Sequence, residues 1–175
     1  MESWLTVFRK GIAHLLSTKG LTALLEGLRT NSKNLIQGAT CNPPPLACVS
    51  SWQVEAGDAI VYAYWQGDRG GDCTVAEGEE AFAKVCYDCD TTIGEPAVVR
   101  KFLNWWDDSP RPLVLAGMIE EVSNELARRM AAEDGLPPFE SGTPAGIIAD
   151  WVEDFRGEKA AAPYRFLLSP APQVQ

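Results

Sequence analysis

A chain of 175 residues with 46% apolar and 22% charged side chains is the size of one domain with a real core, and its composition is not that of a disordered, collagenous or coiled-coil chain. Charge is uneven: residues 1–52 hold Arg9, Lys10, Lys19, Arg29 and Lys33 against Glu2 and Glu26, a net of +3, so with a total of −9 residues 53–175 hold −12. An acidic body repels phosphate backbones, which argues against nucleic acid as a partner, and no stretch approaches the ~18 consecutive apolar residues of a membrane span.

The first element is an amphipathic helix in which Trp4, Leu5, Phe8, Ile12, Leu15 and Leu16 recur at helical spacing and Gly20 suits the end. Leu21, Leu24, Leu25 and Leu28 form a second stripe that can run on to Leu35 and Ile36, so a helical hairpin is expected. Glu2, Arg9 and Lys10 interrupt the apolar residues of this start, which is not the form of an export signal. The expected setting is therefore cytoplasmic or otherwise intracellular, or in a particle assembled inside a cell, with the five cysteines as thiols. Their odd number leaves at least one outside any intramolecular disulfide.

The stretch "GATCNPPPLACVSS" is a stiff connector, because successive prolines cannot continue a helix. "SSWQVEAGDAIVYAYWQGD" then admits two readings. The run 59–65 is β-prone and bounded by Gly-Asp on both sides, like a buried strand. Trp52, Ala56, Ile60 and Tyr64 are four apart, however, and Ser50 with Gln53 has the form of a capping box, so a helix over 51–66 is the preferred reading. Thr74 and Glu77 make another capping box that opens a helix over 75–88, and Pro96 suits the first turn of one through Trp106. Ser109 and Pro110 start the strongest helix, with Leu115, Met118, Ile119, Val122, Leu126 and Met130 on one face and a close near Gly135. "TPAGIIADWVEDFRG" carries a last stripe of Ile147, Ile148, Trp151, Val152 and Phe155 between a Thr cap and a terminal Gly. The expected fold is all-α: a compact multi-helix bundle forming one domain over 1–157, with an extended Pro-containing C-terminal arm over 158–175. The alternative is α+β with a small sheet that includes 59–65.

"KVCYDCDTT" is the stretch that most resembles chemistry. A redox pair needs its first thiol at a helix N-terminus, where the dipole favours thiolate, whereas Cys86 falls at a helix C-terminal end and Cys89 just past it. A zinc site would be built from Cys41, Cys48, Cys86 and Cys89, with Cys73 to spare. Only the latter pair of ligands has the two-to-four-residue spacing of structural zinc, so buried free thiols and no cofactor are expected. The single histidine, His14, projects from the apolar face near Lys10 and Ser17, which leaves nucleophilic triads without a base. The acid groups (Glu77, Glu79 and Glu80; Asp107 and Asp108; Glu120 and Glu121; Asp150, Glu153 and Asp154) lie on helix faces or at helix starts, where acids are expected in any case. Trp105 and Trp106, beside Asp107 and Asp108, are read either as a partner- or ligand-binding patch or as one buried and one half-buried ring at a helix end.

In the arm, Tyr164, Phe166, Leu167 and Leu168 form an apolar cluster between Pro163 and Pro170. They are the leading candidates for contact with a partner, together with Trp105 and Trp106. The functional expectation is a non-enzymatic subunit or adaptor of a larger protein assembly, of the virion neck or connector type or a cellular scaffold component, which docks through its arm onto a protein partner or further copies of itself. The alternative is a small binding module, zinc-stabilised through its cysteines or holding an apolar ligand near Trp105 and Trp106.

Overall fold

The computed structural model describes residues 3–44 and 50–133. Within them the chain is mostly helical: six helices and one two-stranded antiparallel pairing. Helix α1 spans residues 4–15 and changes pitch on the way, from Trp4–Val7 through a π segment, Phe8–Ile12, to Ala13–Leu15. It ends at Leu16, whose backbone is extended (φ −82°, ψ 140°). Ser17 then caps α2, Thr18–Arg29, by accepting from Gly20 N–H. The hairpin is as expected but its corner is not: the break falls at Leu16, and Gly20 is a buried residue of the second helix. Nor does that helix run on to Leu35, which instead bridges Gly57 in parallel.

Strands β1, Cys41–Asn42, and β2, Ala56–Gly57, pair with Cys41 opposite Gly57. Helix α3 follows over residues 59–68, as the turn Ala59–Tyr62 and the π segment Ala63–Asp68. The preference for helix over strand at 59–65 therefore holds, but the helix does not start at Ser50. Backbone groups from 54 to 58 are taken by distant partners: Val54 N–H by Cys73 O at 2.8 Å, Glu55 by Asn42 at 2.7 Å, Gly57 by Asn34 at 2.9 Å and Asp58 by Thr40 at 2.9 Å. Gln53 is used elsewhere, its Oε1 accepting from Cys73 N–H. The cap is Asp58, which accepts from the amides of Ile60 and Val61.

Helix α4, Val75–Ile93, opens on the expected Thr74–Glu77 capping box and closes on Gly94 in the left-handed region. It is longer than expected, so Cys89 lies inside it. Pro96 lies in a turn rather than a first helical turn, and Asp90 accepts there from the amides of Ala97 and Val99. Helix α5, Arg100–Asp108, precedes α6, Arg111–Glu133, whose first turn bonds to Pro110 O as anticipated. On the α6 stripe Met118 and Val122 are buried and Leu115, Ile119 and Leu126 partly so, but Met130 is 64% exposed. The expected close near Gly135, the stripe from Ile147 to Phe155 and the arm over 158–175 lie outside the described residues.

The core gathers one face of every helix. Leu21, Leu24 and Leu28 of α2, Ile60 and Val61 of α3, Phe102 and Trp106 of α5 and Met118 of α6 are all buried. At the α2–α3 crossing the closest approach is between two glycines. A Cβ on Gly67 would stand 2.5 Å from the Cα of Gly20, so the two backbones touch. Among the described residues no helix is long and apolar enough to cross a membrane.

Candidate functional site

The described cysteines, Cys41, Cys73, Cys86 and Cys89, are distributed around α4 rather than gathered on one centre. Cys41 is buried on β1, its thiol donating to Glu79 Oε1 at 3.1 Å and to Pro43 O at 3.4 Å. Burial, reinforced by the Glu79 hydrogen bond and charge, pushes that thiol up to about 12. Cys86 is likewise raised to about 12 by burial, and Cys73 and Cys89 to about 11. Cys89 faces α1 at Gly11, where an added Cβ would fall 2.4 Å from its sulfur. These thiols remain protonated at neutral pH, the opposite of what a nucleophile needs. Among the described residues no group of three or more His, Cys, Asp and Glu side chains is placed to hold a metal ion. Cys48 lies outside them.

The tryptophan corner is built by three helices. Trp106 is buried, its indole N–H donating to Ile36 O at 2.9 Å. Gln37 donates back to the carbonyls of Trp106 and Ser109, and Asp107 accepts from Gly38 N–H at 2.8 Å. Trp105, half-buried, stacks on Trp4 of α1 with ring centroids 3.5 Å apart and planes 4° off parallel. Gly117 of α6 lies beside the edges of both rings, where an added Cβ would stand 3.4 Å from Cζ2 of each. One indole face of Trp105 is thus already occupied by the protein's own ring.

Two acids of α6 have specific structural work: Glu121, read from sequence as lying on a helix face, and Glu125, which the sequence reading does not single out. Glu121 is buried and receives Arg9 through two bonds, at 2.6 and 2.8 Å. Glu125 receives Arg128 and Arg129; burial alone would raise its carboxyl, but these hydrogen bonds outweigh that and hold it below the usual range. Arg129 also donates to Ala13 O and Leu16 O, which ties the open end of α1 to α6. Asp58, 4% exposed, is a buried acid that sequence patterning did not single out, although the Gly-Asp ahead of 59–65 is the form of a helix cap. His14 is exposed, as expected.

Two hollows flank the π segment of α3. The larger, 510 Å³, is open and lined by Lys19, Glu26, Arg29 and Gln66 among others. The smaller, 170 Å³, is mainly apolar, between Leu15, Ile60, Tyr64 and Val85. The charged side chains of the larger hollow, Lys19, Glu26 and Arg29, are exposed. Among the described residues Ser123 Oγ is the one buried side-chain nitrogen or oxygen without a hydrogen-bond partner. Tyr164, Phe166, Leu167 and Leu168 lie outside the described residues, so of the candidate contact residues Trp105 and Trp106 alone have a place in this geometry. No protein family, curated protein or solved structure matches the chain.

Proposed function

We propose that this chain is a non-enzymatic subunit or adaptor of a protein assembly that docks through its C-terminal arm. The observation that carries the reading is the segment "PYRFLLSP", which sets four large apolar side chains between prolines that prevent a helix from running on. Burying side chains of that size contributes about 1.5–3 kcal/mol each, enough to hold an ordered arm in a groove. The body supports the reading through how its polar groups are used: Arg9, Arg129, Gln37 and Asp58 hold helices together, and the thiols are kept protonated. A connector-type particle component and a cellular scaffold subunit both fit this description. The Trp4 ring on Trp105 weighs against an apolar ligand there.

The test is removal of residues 158–175, with Tyr164, Phe166, Leu167 and Leu168 changed together to serine as the finer variant. Light scattering is expected to show the full chain in an assembly and both variants as folded monomers with unchanged helicity. A lowered melting temperature without any change in mass would assign the arm to its own body. A variant that melts normally and assembles normally would overturn the proposal.

A further inference from the structure

Asp58 lies at the junction of the β1–β2 pairing and the first turn of α3. Its N–H bonds to Thr40 O beside the β1–β2 pairing, and its neighbour Gly57 is paired with Cys41. Its side chain holds the first turn of α3, with Oδ1 accepting from Ile60 N–H and Val61 N–H, each at 2.9 Å. It is 4% exposed, and the titratable groups whose charge reaches it are Cys41 of β1, Glu79 and Cys86 of α4, and Asp107 at the end of α5. Every one of these is neutral or negative when it titrates. A buried carboxylate facing acids has only the two amide donors to offset the loss of water.

We propose that Asp58 is a proton-operated latch, which in its protonated form keeps the β1–β2 pairing and the first turn of α3 closed and on ionising lets that junction open. On opening, the proton passes to solvent and the carboxylate gains water. Burial, the largest influence, raises this carboxyl from 3.8 to about 7, against the lowering effect of the two amides. The closed state therefore keeps its proton up to about pH 7, whereas an open, hydrated Asp58 loses it near 3.8. Between those values each rise in pH favours opening; above about 7 both states are ionised and the dependence stops.

Hydrogen exchange of the Ile60 and Val61 amides in the full chain, corrected for intrinsic rate, tests this. Their opening constant is expected to rise by up to about tenfold per pH unit on the acid side and to level off near neutrality. Amides in the middle of α6 should not follow. Asp58→Asn keeps a capping oxygen but cannot ionise, so its profile should be flat. Should that variant fail to fold, Glu79→Gln, at a partly exposed position, removes one of the facing charges and should move the levelling point to lower pH. A wild-type profile without pH dependence, an Asp58→Asn profile that keeps it, or a Glu79→Gln profile identical to the wild type would each overturn the latch.

Discussion

At Gly67 the backbones of α2 and α3 are in contact, and nothing larger than hydrogen fits between them. Gly67→Ala would place a carbon 2.5 Å from Gly20 Cα, and backbone cannot swing aside as the tip of a long side chain can. The helices must separate, and a loss of about 1–3 kcal/mol is expected in urea denaturation. Gly70→Ala is the control: its φ is +61° but nothing lies within 4 Å, so backbone strain alone should cost roughly 1 kcal/mol. Arg9 and Glu121 are a second residue-scale case. Arg9→Ala leaves a buried carboxylate unpaired, and since the arginine is itself half exposed the expected cost is about 2 kcal/mol. With Glu121→Gln the loss from Arg9→Ala should shrink, and a double-mutant cycle measures the coupling.

Helix starts show which structural information is local. The Thr74–Glu77 box is complete within four residues, with Glu77 Oε2 accepting from Thr74 N–H at 2.8 Å, so it was legible without knowing the fold. Ser50 and Gln53 have the same form, yet the backbone after them is drawn into bonds with Asn34, Thr40, Asn42 and Cys73. Such pairings depend on segments far along the chain and leave no local pattern. The corner at Leu16 was missed for a related reason: the apolar spacing continues across it, and the Ser17 cap is hidden within the stripe. Glu121 reads as a surface acid until Arg9 is placed beside it, and the tryptophan pair could be read as one buried and one half-buried ring but not as a stack with Trp4. Thr74→Ala is expected to cost about 1 kcal/mol near neutrality, measured by thermal or urea melting. Glu77 is held below its ordinary value by the Thr74 N–H and hydroxyl bonds. Its contribution is thus present above 4.5 and lost as pH falls through the lowered value, and Glu77→Gln should flatten that part of the acid limb.

For the whole molecule, the first helix is not an appendage. Trp4, Phe8 and Arg9 reach Trp105, Phe102 and Glu121, so α1 closes the body against both α5 and α6. Trp4→Ala removes one ring of the stack beside Gly117. It is expected to cost about 2–4 kcal/mol and to abolish the near-ultraviolet circular dichroism couplet of two parallel indoles. A melting temperature and a couplet both left intact would show that the stack contributes nothing to holding α1.

The bonds from Arg9 to Glu121 and from Arg129 to Ala13 join residues 112 and 116 apart in the chain, and this separation has a consequence in time. A ribosome adds roughly 5–20 residues per second, so α1 emerges on the order of ten seconds before the helix that completes its burial. During that interval Trp4, Phe8 and Ile12 form an apolar face with no α5 or α6 to receive it. The nascent hairpin of α1 and α2 is thus the form of this chain most exposed to chaperones and to self-association. Conditions that slow synthesis of residues 100–133 should lower its yield more than equal slowing elsewhere.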